Sequence, residues 1–398
     1  MTDPKLALDT RLQHIVAEKE VGGRPMAQPV YQTSTYELPN VEIGAQIAAA
    51  HHPQTFYTRY GSPNTAHVEA LLADLEGSEA AIATGSGMAA VAATILSQIS
   101  QGDHIVAQKT HYTASLTLFD EWLPRQGVSV TRVEQTDPEA FRAALQTNTR
   151  MVYLESPTNP TMTLTDIAAV ASIAREAGVL SAIDNTFASS FNQQPHSLGV
   201  DLCLHSATKY LNGHSDVTAG VITGSRSLIE LVWEYTRVHG PVLHPMEAWL
   251  LARGLKTYAL RMRQHNRSAQ IVAERLESFE GVDAVHYPGL ISHPQHELAC
   301  RQMTGGFSGM LSFQLSGSDS KDQFKRAQST LERVRLCKSA VSLGSTESLI
   351  THPASLIFAH QSLDDIAAAG VDTGLLRLSV GLESPDDILD DLRQAIAV

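Results

Sequence analysis

Short apolar runs alternate with helical segments from about Thr65 to Thr223. This alternation is typical of an α/β domain built on a mostly parallel, doubly wound sheet, because each helix must cross back over the sheet to begin the next strand. The predicted strands are Ala80–Thr84, His104–Ala107, Val128–Val133, Met151–Glu155, Leu180–Ile183, Leu202–His205 and Gly220–Thr223.

The pattern changes on both sides of this region. Residues 1–62 have weak periodicity and many turn residues, so we interpret them as an N-terminal arm that contacts a neighbouring subunit. Residues 63–245 form the predicted large domain, and residues 246–398 form a smaller α+β domain. In the smaller domain we expect a long helical region, Met246–Phe279, strands Val282–Tyr287, Met310–Leu315 and Leu375–Val380, and a last helix opening at Ser384-Pro385-Asp386.

Charge and composition exclude several partners. At 398 residues the chain can bury a large core, and its net charge of −13 argues against nucleic acid or an anionic membrane as a partner. The first twenty residues contain no secretory signal, which favours a cytoplasmic location. The uncharged stretch 80–102 is rich in small residues, so we interpret it as buried in the α/β domain rather than as a membrane span.

No metal site is predicted. The three cysteines, Cys203, Cys300 and Cys337, lack metal-ligand spacing and suit a reducing compartment. The 17 histidines contain no His-Glu-x-x-His motif, which weakens a zinc hydrolase as an alternative.

A lysine and an aspartate follow two of the predicted strands. Lys209 lies in the run Ser206-Ala207-Thr208-Lys209. Asp184 ends an earlier apolar run, residues 178–183. A lysine amine can form a Schiff base with an aldehyde, and a carboxylate at a strand end can hold a pyridine nitrogen protonated. Together they predict a site for pyridoxal 5′-phosphate (PLP).

A glycine-rich turn supplies the expected phosphate site. The turn Gly85-Ser86-Gly87-Met88 opens a helix directly after a strand, so its backbone amides and the helix dipole can bind an anion. The hydroxyls of Ser206 and Thr208 are suited to the same phosphate. A nucleotide loop is the alternative, but the chain has no Gly-x-x-x-x-Gly-Lys-[Ser/Thr].

These features resemble the Cys/Met-metabolism family of PLP enzymes over nearly the whole chain. The family includes cystathionine γ-synthase, cystathionine β- and γ-lyases, methionine γ-lyase and the homoserine-ester sulfhydrylases. The resemblance rests on Tyr57-Thr58-Arg59-Tyr60-Gly61-Ser62-Pro63-Asn64-Thr65, Ser86-Gly87-Met88, Glu155-Ser156-Pro157-Thr158-Asn159-Pro160, Asp184-Asn185-Thr186, Ser206 through Gly220, Ser342-Leu343-Gly344, His352-Pro353-Ala354-Ser355 and Arg377 through Glu383.

The resemblance implies an aminotransferase-like fold of type I and a role for each matching residue. Lys209 would hold PLP and act as base, Asp184 would bind the ring nitrogen, and Tyr112 would stack on the ring and serve as acid. Arg377 would bind the substrate carboxylate with help from Ser342 and Asn159. The phosphate contacts would be Ser86, Gly87, Met88, Ser206 and Thr208, with Tyr57 and Arg59 from a neighbouring subunit in a dimer of dimers that shares its active sites.

The reaction expected from the resemblance is α,γ-elimination on a γ-substituted L-amino acid, as in methionine γ-lyase. Cystathionine-handling members often have glutamates where this chain has Phe56 and Val341. Yet Ala114 stands where methionine γ-lyases usually have cysteine, and His111 is unusual beside the tyrosine. The alternatives are cystathionine γ-lyase or γ-synthase, an O-acylhomoserine sulfhydrylase, and a γ-lyase for an oxygen-linked substrate such as canavanine.

Two other classes of protein explain the motifs less well. A PLP aminotransferase would share the fold and the lysine, but this motif set does not favour a second half-reaction that returns an amino group. A non-enzymatic binding module leaves Lys209 and Asp184 without a purpose. The colour of the purified protein distinguishes the PLP enzymes from such a module.

Overall fold

The computed structural model of this chain describes residues 5–14, 25–357 and 372–397. Part of the first twenty residues, for which no secretory signal is predicted, lies outside these ranges. The chain divides into two compact units. The first comprises Met1–Glu155, Thr165–Thr186 and Gln194–Ala259, and the second comprises Ser156–Leu164, Phe187–Gln193 and Leu260–Val398. The arm and domain boundaries predicted from the sequence stay a prediction.

The first unit contains a seven-stranded sheet. Its strands are β1 Ala80–Thr84, β2 His104–Gln108, β3 Ser129–Val133, β4 Thr149–Glu155, β5 Leu180–Asp184, β6 Leu202–Ser206 and β7 Gly220–Gly224. Their order in the sheet is β1-β7-β6-β5-β4-β2-β3. All neighbouring strands are parallel except the two pairs that β7 makes with β1 and β6. The mostly parallel sheet predicted from the sequence is therefore confirmed.

Both faces of this sheet are covered, as the continuous apolar runs require. In β4, Met151 and Tyr153 pack on one face, whereas Val152 and Leu154 pack on the other, beside the helix Ile167–Glu176. The helices of this unit are Leu8–Gln13, Val41–Ala49, Pro63–Glu76, Gly87–Leu96, Thr113–Thr117, Leu123–Arg125, Pro138–Ala144, Ile167–Glu176, Arg226–His239 and Pro245–Leu255, with a π-helical turn at Leu118–Trp122 and a 3-10 turn at Pro195–Leu198.

The second unit contains a five-stranded sheet. Its strands are β8 Val282–His286, β9 Met310–Leu315, β10 Lys338–Ser339, β11 Leu349–Thr351 and β12 Leu375–Ser379. Their order is β10-β11-β12-β9-β8, and only β10 and β11 are parallel. The sequence predicts β8, β9 and β12 but not the short β10 and β11. The helices are Ser189–Asn192, Tyr258–Leu276 (apart from its first two residues), His296–Gln302, Ser320–Arg333, Pro353–Ile357 and Pro385–Ile396.

One predicted element differs from the structure. The helical region expected over Met246–Phe279 is two helices, because the first ends at Leu255. The backbone N–H and the hydroxyl of Thr257 both donate to the carbonyl of Gly254 at 3.2 Å. This three-residue turn replaces the four-residue spacing that a continuing helix would need.

The uncharged stretch 80–102 forms β1 and the helix Gly87–Leu96 inside the first unit. Among the described residues, no helix is both long and apolar enough to cross a membrane.

Candidate active site

The site residues predicted in the α/β region lie beyond the carboxyl ends of the parallel strands, which we call the carboxyl edge of the sheet. The chain leaves β2 toward β3 on one side and leaves β4 toward β5 on the other. Crossovers in opposite directions open a crevice between the ends of β2 and β4, where doubly wound sheets bind ligands. The loop after β2 carries Tyr112, and β4 ends at Glu155.

The helix Gly87–Leu96 begins shortly after β1 ends. Ser86 caps this helix, since its hydroxyl accepts the N–H of Ala89 at 3.1 Å. A Cβ on Gly87 would lie 2.7 Å from the Cβ of Ser206, so only glycine lets the turn approach β6 this closely. The result is a helix N-terminus, including the amide of Met88, beside two serine hydroxyls, an arrangement that suits a phosphate.

The turn that carries Lys209 is fixed by backbone hydrogen bonds. The N–H of Lys209 donates to the carbonyl of Ser206 at 3.1 Å, and its own carbonyl accepts the N–H of Gly213 at 2.7 Å. The Thr208 hydroxyl accepts the N–H of Ala219 at 2.9 Å. These bonds hold a partly buried lysine three residues after the end of β6.

Asp184 ends the neighbouring strand β5. Its Oδ1 accepts the N–H of Thr186 at 3.0 Å and the Thr186 hydroxyl at 2.5 Å. That hydroxyl in turn accepts the N–H of Ser206 at 2.8 Å, which joins the ends of β5 and β6. Burial raises the pKa of Asp184 to about 6, and the negative charge of Glu155 on the adjacent strand adds to the increase. Because burial and the nearby carboxylate make the ionised form of Asp184 unfavourable, a cation bound beside Asp184 would stabilise that ionised form.

Glu155 also anchors the loop that carries Tyr112. The backbone N–H of Tyr112 donates to Glu155 Oε2 at 2.8 Å, while the Tyr112 side chain is 46% exposed. His111 lies beside them, with Nδ1 3.5 Å from the same carboxylate oxygen. Burial lowers the pKa of His111 to about 3, so this imidazole is neutral.

Tyr57 and Arg59 occupy the irregular segment that precedes the helix Pro63–Glu76. Arg59 donates to the carbonyl of Arg237, and its guanidinium lies over the rings of Tyr57 and Tyr60 at 5.5 and 5.0 Å. Phe56, Tyr57, Arg59 and Tyr60 line part of a cavity of about 270 Å³. This cavity is mostly aromatic and has one guanidinium at its wall.

The predicted substrate residues lie in the second unit. Arg377 on β12 donates from one terminal nitrogen to Asn159 Oδ1 and from the other to the carbonyl of Ser342, each at 3.0 Å. Ser342 has φ of 84°, a left-handed backbone that serine rarely adopts. Val341, next to it, is 70% exposed. The structure thus brings Arg377, Asn159 and Ser342 together.

Two contacts at the carboxyl edge were not foreseen from the sequence. Both residues, Glu155 and Thr186, stand in the motifs quoted above, but Glu155 accepts the N–H of Tyr112 and the Thr186 hydroxyl accepts the N–H of Ser206, and these bonds join residues 43 and 20 positions apart in the chain. The available signal was position, because each lies at or just beyond the end of an apolar run. The roles expected of the other site residues stay predictions.

Folding also brings together a buried group with metal-ligand chemistry, formed by Glu76, Cys203 and His205. Because Glu76 Oε1 and His205 Nε2 are only 2.5 Å apart, they hydrogen bond directly to each other. Burial raises the pKa of the Cys203 thiol, which disfavours the thiolate that a metal would need. We therefore interpret this group as a buried polar pair beside a thiol.

A doubly wound sheet with a lysine, a carboxylate and a helix N-terminus at its carboxyl edge has the contacts that PLP-dependent enzymes use. Lys209, Asp184 and the cradle that Gly87 leaves open fit the aldehyde, the ring nitrogen and the phosphate of PLP. The model of the Cys/Met metabolism PLP-dependent enzyme family matches residues 9–397, and the chain belongs to this family. The predicted family and cofactor are confirmed.

Relatives within the family have several activities. The chain is 43% identical to an L-methionine gamma-lyase of Porphyromonas gingivalis over 374 residues, which cover 93% of this chain and 92% of that protein. It is 38% identical to an O-succinylhomoserine sulfhydrylase of Pseudomonas aeruginosa, with 93% and 90% covered. The predicted activity and one of its alternatives match these names.

A solved structure is similar over nearly the whole chain. The crystal structure of a cystathionine gamma-lyase from Lactobacillus plantarum, complexed with L-serine, has a TM-score of 0.88 and 38% sequence identity, with 98% of each chain covered. The predicted fold class, a PLP-dependent α/β fold with a large and a smaller domain, is confirmed.

Proposed function

We propose that this enzyme catalyses α,γ-elimination on an L-amino acid with a γ-substituent, with methionine as the reference substrate. The first products would be the leaving group, here a thiol, and an enamine or vinylglycine-type product that keeps the amino nitrogen; addition of water to the enamine would give 2-oxobutanoate and ammonia. The observation that carries the proposal is that Asp184 ends β5 and Lys209 follows the neighbouring parallel strand β6, at the same edge of the sheet. The 43% identity to an L-methionine gamma-lyase supports the choice of reaction.

The first unit would hold PLP. Lys209 would bind its aldehyde, Asp184 its ring nitrogen, and Tyr112 would lie on its ring. When bound, PLP supplies an electron sink that makes the protons next to the substrate amine acidic. The phosphate contacts would be Ser86, Gly87, Met88, Ser206 and Thr208, with Tyr57 and Arg59 from a neighbouring subunit.

The protein's own groups then move the protons. The Lys209 amine would remove a proton from Cα and return protons to the carbon skeleton, because its short turn keeps it at one place. Tyr112 would donate a proton to the leaving group. Its exposed ring and anchored backbone allow the side chain to turn without moving the loop.

Arg377 would bind the α-carboxylate of the substrate. Asn159 Oδ1 and the Ser342 carbonyl hold its guanidinium from two sides, so the orientation of the planar fork is fixed. A planar fork of this kind pairs well with a carboxylate through two parallel hydrogen bonds. The same contact would select amino acids over simple thioethers.

Substrate choice is proposed to depend on Val341 and Phe56. Both are apolar, so neither could bind the distal amino group of cystathionine. One panel tests this: methionine, homocysteine, cystathionine, cysteine, O-acetyl- and O-succinylhomoserine and canavanine, read for keto acid with and without thiol. Dominant 2-oxobutanoate from methionine is expected. Pyruvate would indicate β-elimination, and thioether formation faster than keto-acid release would indicate a synthase or sulfhydrylase.

A single charge sharpens the panel. Val341→Glu should raise kcat/KM for cystathionine several-fold relative to methionine, since an exposed ion pair is worth up to about 1 kcal/mol. Ile291→Glu is the control, because Ile291 is an exposed apolar residue in the same unit as Val341 and is not among the predicted site residues. An unchanged cystathionine-to-methionine ratio in Val341→Glu would remove Val341 from the specificity argument.

We also propose a homo-oligomer with shared sites, a dimer doubled to a tetramer. Tyr57 is 42% exposed and lines an open cavity with Arg59, as expected for groups that complete a neighbour's site. Mixing inactive Arg59→Ala with inactive Lys209→Ala should restore part of the activity, because a hybrid dimer keeps one intact site. No recovery after verified subunit exchange would contradict sharing. A cytoplasmic location stays a prediction.

A further inference from the structure

His111 is a buried histidine directly beside the proposed cofactor site. It follows the end of β2 and precedes Tyr112, and its side chain is fully shielded from solvent. The rings of Phe119 and Tyr153 pack against it, each with its centroid 5.3 Å from the imidazole. An apolar side chain would fit this environment at least as well as a polar one.

The imidazole is also unsatisfied. Neither ring nitrogen has a hydrogen-bond partner within the described part of the chain. Buried polar groups are usually paired, and an unpaired one reduces stability, so its presence requires an explanation. His104, at the other end of β2, has Thr149 and Thr131 hydroxyls within 2.9 Å of its two nitrogens.

The geometry identifies the partner that His111 lacks. Its Nδ1 is 3.5 Å from Glu155 Oε2, about half an ångström beyond a normal hydrogen bond. The same oxygen accepts the backbone N–H of Tyr112 at 2.8 Å. A small movement of the loop would therefore give Glu155 two donors from adjacent residues. Because burial keeps the His111 pKa low, the ring is neutral and can carry its proton on Nδ1.

We propose that His111 is a positioning residue, which closes a hydrogen bond to Glu155 and thereby fixes Tyr112 in its stacked position. This inference rests on the proposed function, in which Tyr112 lies on the cofactor ring. It assigns no chemistry to His111 itself. The bond would hold the loop after β2 in one of two closely spaced positions.

The proposal is tested with one variant that keeps an aromatic ring but has no hydrogen-bond donor and another that keeps a donor but has no ring. His111→Phe keeps an aromatic ring without a donor, and His111→Asn places an N–H near the position of Nδ1. Tyr153→Phe is the matched control, because it removes a buried hydroxyl that is unpaired among the described residues and that belongs to a ring packed on His111. His111→Leu replaces the phenylalanine variant if that one does not fold, with the same expected results.

Three quantities are measured for each variant: the melting temperature of the cofactor-free protein, the visible circular dichroism of the PLP-loaded protein, and kcat and KM for methionine. His111→Phe should melt at or above the wild-type temperature, lose most of the visible dichroism and lower kcat about tenfold, the effect of one hydrogen bond to a charged group. KM should change less than twofold. His111→Asn should recover most of kcat, and Tyr153→Phe should leave kcat and dichroism unchanged.

Wild-type kcat and dichroism in His111→Phe would overturn the inference. Equal losses in the phenylalanine and asparagine variants, with lower melting temperatures, would also overturn it, because they indicate a packing role. Borohydride reduction of the wild-type protein tests the proposed function separately. An adduct on a lysine other than Lys209 would overturn that function and this inference together, whereas an adduct on Lys209 leaves the variants to decide.

Discussion

His104 has a hydrogen-bond partner for each ring nitrogen, whereas His111, just beyond the other end of the same strand, has none among the described residues. Two aspartates differ in their electrostatic surroundings, although each accepts one N–H and one hydroxyl. Asp201 lies before β6, at the amino edge of the sheet, and its Oδ2 accepts the N–H and the hydroxyl of Ser181 at 2.8 and 2.7 Å. Asp184, at the carboxyl edge, is buried beside another carboxylate, which raises its pKa to about 6.

The difference indicates that polar residues at one edge of the sheet stabilise the fold, whereas those at the other edge are available for ligand binding. At the amino edge, hydrogen-bond donors and acceptors satisfy each other, so these side chains stabilise the strands they join. At the carboxyl edge, buried polar groups have an electrostatic cost that an incoming ligand can reverse. Substitutions at the two edges should therefore have opposite effects on stability and activity.

The largest effect is expected from Lys209→Ala. Losing the amine should lower kcat roughly a thousandfold or more, because both cofactor attachment and proton transfer need it. The protein should still bind some PLP through the phosphate contacts. Lys109→Ala is the control at the same edge, since Lys109 follows β2 with its side chain 63% exposed and should stay within twofold of wild type. Keto-acid assays and peptide mapping of the reduced adduct test both; equal activity losses would contradict the assignment.

The two aspartates give the next effect and the sharpest comparison of the edges. Asp184→Asn should lower kcat roughly a hundredfold, as expected when one partner of a buried charge pair is lost. It should also make the cofactor-free protein more stable at neutral pH, because a buried charge is removed. Asp201→Asn should leave kcat unchanged and reduce the free energy of unfolding by about 1–3 kcal/mol. Assays and urea titrations of both variants measure this, and parallel changes would contradict the division.

Much of this edge could be predicted from the sequence. Apolar runs mark the strands, and a polar residue after such a run must lie at the carboxyl edge, which is why Asp184 and Lys209 could be paired. The hydrogen bond from Tyr112 to Glu155 could not be predicted, because it depends on β2 lying next to β4. Local patterns predict strands, but strand order is decided by packing across the whole sheet.

Three other features could not be predicted from local patterns: two short strands, a contact between distant residues and a break between two helices. The strands β10 and β11 have two and three residues, too few for a periodic pattern. The pair of Glu76 and His205 joins a helix to β6 over 129 residues of chain. The break before Tyr258 depends on a single turn, in which the Thr257 hydroxyl competes for the Gly254 carbonyl.

The smallest predicted effect is a change in how stability depends on pH. The pKa of Asp184 is raised to about 6 from 3.8, so its contribution to stability is present below about pH 4 and is lost as pH rises through 6. The pKa of His111 is lowered to about 3 from 6.5, so its contribution is present above 6.5 and is lost as pH falls. Between about pH 4 and 6 these two slopes oppose each other in the wild-type protein.

Removing one of the two groups should therefore leave the pH dependence of the other group visible in the unfolding free energy. Relative to wild type, the cofactor-free His111→Phe protein should lose about 1.4 kcal/mol of unfolding free energy for each unit that pH rises between about 4 and 6. Asp184→Asn should instead gain about that much per unit. Urea titrations at several pH values in this window measure the slopes. If Asp184→Asn keeps the wild-type slope, the carboxyl edge does not have the electrostatic cost proposed, because the buried Asp184 carboxyl would then ionise as freely in the folded chain as in the unfolded chain.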